Sequence, residues 1–438
     1  MHCKVLFVSC ARTLFLGSSK FGNQFAKHQS KLSKLYKNRT IGTLSTIPLM
    51  ATTMKVSFTN TTFHSSNIFY KLLTKVLSWQ ELEEVHNKLS CPVDLTNGPT
   101  SSQSKLRLFG HSESEVRVTL YRDHHAWCPY CQKVWMFLEE KRIPYKVKKV
   151  TMFCYGEKES WYKKICPSGM LPALELDGKL FTESDRIIAM LEEAFGPLGS
   201  EFKDPNVMEL RRLERQLFSA WCRWLCYPST CPEEEEYSKQ NFIKQARRMD
   251  EALGTTDGPF FLSDFSVADC VFIPYVERMN ASLFYYKGYT LRDSKVFPRI
   301  SAWFEGLESR ETYRGTQSDF HTHCHDLPPQ MGGCYEIEDD PLQADCQNRV
   351  DSCIDFDLPE SGIKERPGGA DTIFALGRFL KYKESILKAN PLSSKADLDM
   401  AFRTTLSWMI LTDRENVQLP KIPKGTEVGL RYVRDRIK

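Results

Sequence analysis

Trp127-Cys128-Pro129-Tyr130-Cys131-Gln132-Lys133-Val134-Trp135-Met136-Phe137-Leu138 is the stretch on which the fold of this chain turns. Upstream, Val116, Val118 and Leu120 alternate at strand spacing. Downstream, Cys131, Val134, Trp135 and Leu138 recur at i, i+3, i+4 and i+7, so the Cys-x-x-Cys pair sits where a strand ends and a helix begins. Pro129 suits the first helical position, because its missing N–H costs nothing there, and this leaves Cys128 at the cap beside unpaired N–H groups and the positive end of the dipole. The placement favours a thiolate, which is both nucleophile and leaving group in disulfide exchange, with His124, His125 and Lys133 adding positive potential. Cys131, one turn deeper on the same face, is placed to resolve a mixed disulfide. A Cys-x-x-Cys pair is also half a zinc site, but the strand before it and the helix after it favour the redox reading.

Working outward, Tyr145, Val147, Lys149 and Thr151 suggest a second strand and the segment around Glu159 to Ile165 a short helix. Ala173 to Leu176, an Asp177-Gly178 turn and Leu180 to Thr182 then read as a hairpin, and a helix from Ser184 to Phe195 closes the unit. The order β-α-β-α-β-β-α in about 90 residues is a thioredoxin-like arrangement. Pro172, directly before the third strand, is the candidate for the cis proline with which such domains present backbone N–H and C=O groups to a thiol peptide. Thr182-Glu183-Ser184-Asp185 suits an amino acid head group carrying both charges, with plain helix capping as the alternative.

After Gly196-Pro197-Leu198-Gly199 the pattern is helical only. Leu210, Leu213, Leu217, Trp221 and Trp224 share one face, and Ser266 with Asp269 forms a capping box at another helix start. The expected fold is an α+β thioredoxin-like domain, an all-α second domain and a mostly helical extension. Residues 1–80 read as a transit peptide or disordered leader, 81–104 as helix and linker, 105–197 as the thioredoxin-like domain, 198–320 as the helical domain and 321–438 as the extension. Within the extension, His321, His323, Cys324, His325 and Cys334 are read as a packed loop rather than a metal site. Residues 336–360, with nine acidic residues and one basic, read as a solvated connector. Cys222, Cys226 and Cys231 read as buried or incidental thiols, and no metal ligands are assigned.

Charge separates the leader from the body. Residues 1–80 hold 11 Lys or Arg and no Asp or Glu; the remainder holds 48 basic against 55 acidic residues, about −7. A mildly acidic body without a basic aromatic stripe argues against nucleic acid. The longest near-apolar run, Val267 to Val276, contains Asp269 and Pro274 and is too short to span a membrane. Fifteen cysteines without a secretory signal imply mostly free thiols.

Cys128-Pro129-Tyr130-Cys131, Met170-Leu171-Pro172, Glu183-Ser184 and the Ser266 to Asp269 box, in that order and spacing, resemble the cysteine-type glutathione S-transferases over about residues 105–315. Beyond them, the run from His321 to Cys334 and the run from Val428 to Arg436 resemble the iota class of photosynthetic organisms. The resemblance implies a mixed disulfide between Cys128 and glutathione. It implies that the Leu171 backbone before Pro172 holds the cysteinyl part, that Glu183 and Ser184 hold the γ-glutamyl end, and that Tyr130 belongs to the same site. The lysine that omega-like relatives place before the second helix has no counterpart around Phe153 to Gly156. The expected activity is a glutathione-dependent thiol transfer or reduction, deglutathionylation or dehydroascorbate reduction rather than conjugation, on a small or protein disulfide or electrophile. A glutaredoxin-like module holding an iron–sulfur cluster, or binding glutathione with little turnover, is the alternative. The plastid stroma is the expected compartment, with the mitochondrion as alternative; a dimer is compatible with the resemblance.

Overall fold

The computed structural model describes residues 76–90, 93–154, 156–318, 320–337, 339–352, 370–410 and 421–434; residues 1–75 of the expected leader lie outside the described residues. Helix α1 (Trp79–Leu89) precedes the mixed sheet of β1 (Leu106–Arg107), β2 (Val118–Asp123), β3 (Tyr145–Val150), β4 (Ala173–Leu176) and β5 (Lys179–Thr182), ordered β1-β3-β2-β4-β5. Helices α2 (Pro129–Glu140), α3 (Ser160–Ile165) and α4 (Ser184–Phe195) connect these strands in the thioredoxin-like order. β2 runs parallel to β3, with Val118 opposite Tyr145, and antiparallel to β4, with Tyr121 opposite Ala173. The β4–β5 turn puts both Asp177 (φ 50°) and Gly178 (φ 77°) in the left-handed region, as a two-residue hairpin turn requires. β1 was not expected: two residues are too few to show alternation.

The second domain comprises α5 (Pro205–Leu225), α6 (Pro232–Ala252), α7 (Val267–Lys287), α8 (Pro298–Ser309) and α9 (Glu311–Thr316). α7 is its axis and is buried at every position, between α2, α5 and the helices that follow. It starts where the sequence indicates, with the Asp269 carboxylate accepting from the Ser266 N–H at 2.9 Å, and ends at Gly288 in the left-handed conformation (φ 58°). α2 is also buried nearly all round, since the sheet lies on one side and α7 on the other. Its buried Glu139 is satisfied by both Arg107 nitrogens (2.9 Å each), Tyr145 Oη (2.6 Å) and Thr100 Oγ1 (2.8 Å).

Two expectations for the extension are corrected. The His/Cys run is helix α10 (Phe320–Met331) from His321 to His325, and only Cys334 lies in irregular chain beyond it; Pro328 leaves the Cys324 carbonyl without its helical donor, and the Tyr286 hydroxyl donates to it at 2.9 Å. The acidic stretch contains helix α11 (Pro341–Ser352), not a solvated connector throughout, with Gln343, Cys346 and Val350 buried against α7. Charge run and helix coexist because Asp345 lies on the exposed face, while Asp351 is paired with His325 and accepts from the Tyr285 hydroxyl.

A third correction concerns the N-terminal boundary. α1 packs on α12 (Ala370–Ala389) and α13 (Lys395–Ile410), with α14 (Glu427–Arg434) alongside, around a separate core of Leu77, Leu82, Leu376, Phe379, Leu398 and Phe402. Trp79 stacks on Phe379 at 5.7 Å and donates its indole N–H to Asp399 at 2.6 Å, and the Leu77 N–H donates to Ser407 Oγ at 3.0 Å. Residues 77–80 thus belong with the extension, not with a leader.

Candidate active site

Three motifs meet at one end of the sheet because the strands carrying them are neighbours. β2 runs up to Cys128, antiparallel β4 starts just after Pro172, and β5 ends at Thr182, opposite Ala173 and just before Glu183. Cys128 is the N-cap of α2, with Pro129 as first helical residue; its carbonyl accepts from the Gln132 N–H at 3.0 Å and its side chain makes no capping bond. The thiol is 5% exposed, that of Cys131 1%. Burial first, and then the hydrogen bond and charge of Cys128, push the Cys131 thiol well above its ordinary range. Cys131 therefore keeps its proton at neutral pH. The Leu171–Pro172 peptide is cis, with Pro172 buried. Glu183 is exposed with φ 66°, and Ser184 is buried at the first position of α4. Tyr130 is 41% exposed and meets Tyr275 of α7 edge-on at 5.8 Å.

The cations expected beside Cys128 are rearranged. Lys133 is buried in an ion pair with Asp185, which also accepts from Arg211 of α5 at 2.6 Å. Burial opposes ionisation of Asp185, but Lys133 and Arg211 outweigh it and hold the carboxyl below its usual range. His124 points to Glu159 at 3.2 Å. The cation on which the charges of both thiols act is Lys158, just before α3 and outside the Phe153 to Gly156 stretch. Its ammonium donates to the Thr151 carbonyl at 2.9 Å, and its stem lies against Gly169. Burial lowers its pKa, and the charges of Cys131 and Cys128 act in the opposite direction.

Three further contributors carry no local sequence signal. Asp123, the buried last residue of β2, accepts from the Trp127 N–H at 2.6 Å, and its carboxylate lies within 4.8 Å of the sulfurs of Cys128 and Cys131. Its charge adds to the rise of the Cys131 thiol. Arg278 of α7 donates to the Trp127 carbonyl and lies over the Trp127 ring at 4.4 Å, so the second domain holds the residue preceding the nucleophile candidate. Glu277, beside it, pairs with Arg278 at 3.2 Å and with His323 of α10 at 3.3 Å. On the open side, Arg215 lies over the rings of Phe218 (4.5 Å) and Tyr275 (4.8 Å), an aromatic and cationic wall next to Tyr130. Elsewhere Cys222, Cys226 and Cys334 are half-buried and pack against the main core, while Cys231 is exposed.

Residues 127–194 match the glutathione S-transferase N-terminal domain and residues 234–306 the glutathione S-transferase C-terminal domain. The chain is 27% identical over 192 residues to glutathione S-transferase DHAR2 of Arabidopsis thaliana, covering 44% of this chain and 84% of that protein. It is 28% identical over 195 residues to glutathione S-transferase DHAR3, chloroplastic, of the same plant, covering 44% and 69%. The solved dehydroascorbate reductase of Chlamydomonas reinhardtii is similar at TM-score 0.39 and 18% identity, over 48% of this chain and 96% of that one. The paired domain matches and the plant relatives support a thioredoxin-like glutathione S-transferase family for the two-domain unit.

Proposed function

We propose that this glutathione S-transferase unit is a glutathione-dependent thiol transferase and reductase of the cysteine type, with Cys128 as nucleophile. Its family uses glutathione as cosubstrate, and the plant relatives support a reductase reading. The observation that carries the finer reading is the place of Cys128: at a helix N-cap, where backbone N–H groups favour a thiolate, next to a thiol that keeps its proton.

In the proposed exchange, the Cys128 thiolate attacks the glutathionyl sulfur of a mixed disulfide. The old S–S bond breaks, the acceptor thiolate leaves and takes a proton from water, and glutathione stays on Cys128 as a disulfide. A second glutathione thiolate attacks that glutathionyl sulfur, forms oxidised glutathione and returns the Cys128 thiolate. Alternatively Cys131 attacks the Cys128 sulfur, its proton passing to the departing glutathione thiolate, and two further glutathione thiols reduce the resulting Cys128–Cys131 disulfide, forming oxidised glutathione. The Leu171 backbone before Pro172 holds the cysteinyl part, Ser184 and Glu183 at the start of α4 hold the γ-glutamyl end, and Tyr130 closes the pocket toward the Arg215–Phe218–Tyr275 wall, where the acceptor lies. A cysteine, unlike a Ser or Tyr hydroxyl, serves exchange rather than conjugation, which makes dehydroascorbate and glutathionylated thiols the substrates to assay first. The plastid stroma is the compartment proposed with this reading: the acid-free leader suggests an organelle, and the iota-class resemblance alone favours the plastid over the mitochondrion.

Intact-mass analysis after exposure to oxidised glutathione, with peptide mapping, tests the assignment. The native chain is expected to gain a glutathionyl group on Cys128 or a Cys128–Cys131 disulfide. Cys128→Ser is expected to show neither at this helix start and to lose reductase turnover by at least about a thousandfold. Undiminished turnover in Cys128→Ser would overturn the proposal.

A further inference from the structure

The run His321-Thr322-His323-Cys324-His325 lies on one helix, so its alternate residues separate to different faces, and the structure shows where each face goes. His323 points inward, to Glu277 at 3.3 Å and toward the Trp127 ring at 6.1 Å. Cys324 also points inward, with its thiol 3.3 Å from the Ala281 carbonyl. His321 and His325, four residues apart, share the remaining face; their rings lie 4.2 Å apart at 36°. Asp351, near the end of α11, meets this pair: His325 Nε2 is 2.8 Å from its Oδ1.

We infer that His321, His325 and Asp351 form a binding site for a borderline divalent cation such as Zn²⁺, which clamps α11 onto α10. Their three donor atoms lie within 4.8 Å of one another. A tetrahedral ion with bonds of about 2.0–2.2 Å needs donors about 3.3 Å apart, which small side-chain rotations supply. The second oxygen of Asp351 accepts from the Tyr285 hydroxyl at 3.0 Å, and the Tyr285 ring stands edge-on to His325 at 5.0 Å. A hydrogen-bonded carboxylate with a ring packed against the neighbouring imidazole is the kind of outer support that orients metal ligands. Two imidazoles and one carboxylate select Zn²⁺, Co²⁺ or Ni²⁺ over Mg²⁺ or Ca²⁺. The His325 and Asp351 side chains are 32% and 29% exposed, so an ion can enter from solvent. On binding, the metal takes the place of the His325–Asp351 hydrogen bond, with both imidazoles coordinating in their neutral form, and the joint between the two helices is strengthened in the folded state alone.

The test uses the full chain carrying Cys128→Ser and Cys131→Ser, which removes the sulfurs of the other metal-capable group among the described residues, Asp123, Cys128 and Cys131. Titration with Co²⁺ is expected to give one equivalent with visible d–d bands and no thiolate-to-cobalt charge transfer, and Zn²⁺ is expected to displace it and raise the Tm. In that background His321→Ala with His325→Ala is expected to abolish this binding, and Tyr285→Phe to weaken it about tenfold. No stoichiometric binding, a thiolate-type spectrum, or unchanged affinity in the folded double variant overturns the inference. Should the double variant not fold, unchanged affinity in both Asp351→Asn and Tyr285→Phe does so instead. None of these outcomes depends on the role of Cys128.

Discussion

Cys128 and Cys131 differ by one helical turn, and that turn separates their chemistry. Cys128 stands at the cap where N–H groups are unpaired, whereas Cys131 is enclosed between sheet and helix and is kept protonated by burial and by Cys128. Lys158 is the nearby cation whose charge favours ionised sulfur. Lys158→Gln is expected to slow alkylation of Cys128 at pH 7 by roughly threefold or more, with little change in Tm, since the lysine donates only to a loop carbonyl. Stopped-flow alkylation of the variant against the native chain checks this; an unchanged rate removes Lys158 from the site.

At the level of the element, the start of α7 makes a pH-dependent contribution. Burial raises the Asp269 carboxyl from 3.8 to about 6, although donors on Trp303, Ser266 and Phe261 pull the other way. The folded chain then holds this proton more tightly than the unfolded one, so the group's contribution falls as pH rises from about 4 to 6, by up to roughly 3 kcal/mol, and is flat above. Urea melts of the native chain and Asp269→Asn across that window are expected to show the stability gap changing in this sense; a pH-independent gap refutes it. A Cβ at Gly377 falls 2.1 Å from His86 Nε2, so Gly377→Ala displaces the His86 ring from its place between α1 and α12, at an expected cost of about 1 kcal/mol. A thermal melt that shows no loss indicates that His86 simply swings away.

Across the whole molecule, segments far apart in sequence are tied together: α1, before the sheet, completes the core of helices α12 and α13. Deleting residues 1–90 is expected to uncover Leu376, Phe379 and Phe402, seen as rapid proteolysis within 370–410, while glutathione exchange at Cys128 persists. Resistance equal to the full chain would show that the extension packs without α1. Among the described residues no helix is long and apolar enough to cross a membrane.

The thioredoxin-like order, the hairpin, the Ser266 capping box and the Cys128-Pro129 helix start were legible because each is a local matter of period, turn chemistry or capping, confined to a few consecutive residues. So were Pro172 and Glu183-Ser184 as candidates. Helices α10 and α11 were not. Prolines and acids argue against helix locally, and only burial against α7, with Tyr286 supplying the donor that Pro328 lacks, makes them stable. Nor could one sequence place Arg278 on the Trp127 loop, Asp123 beside two sulfurs, or α1 on the extension. Those pairings span gaps of up to about 330 residues, and what selects them is shape and charge complementarity between surfaces that exist only after each element has formed.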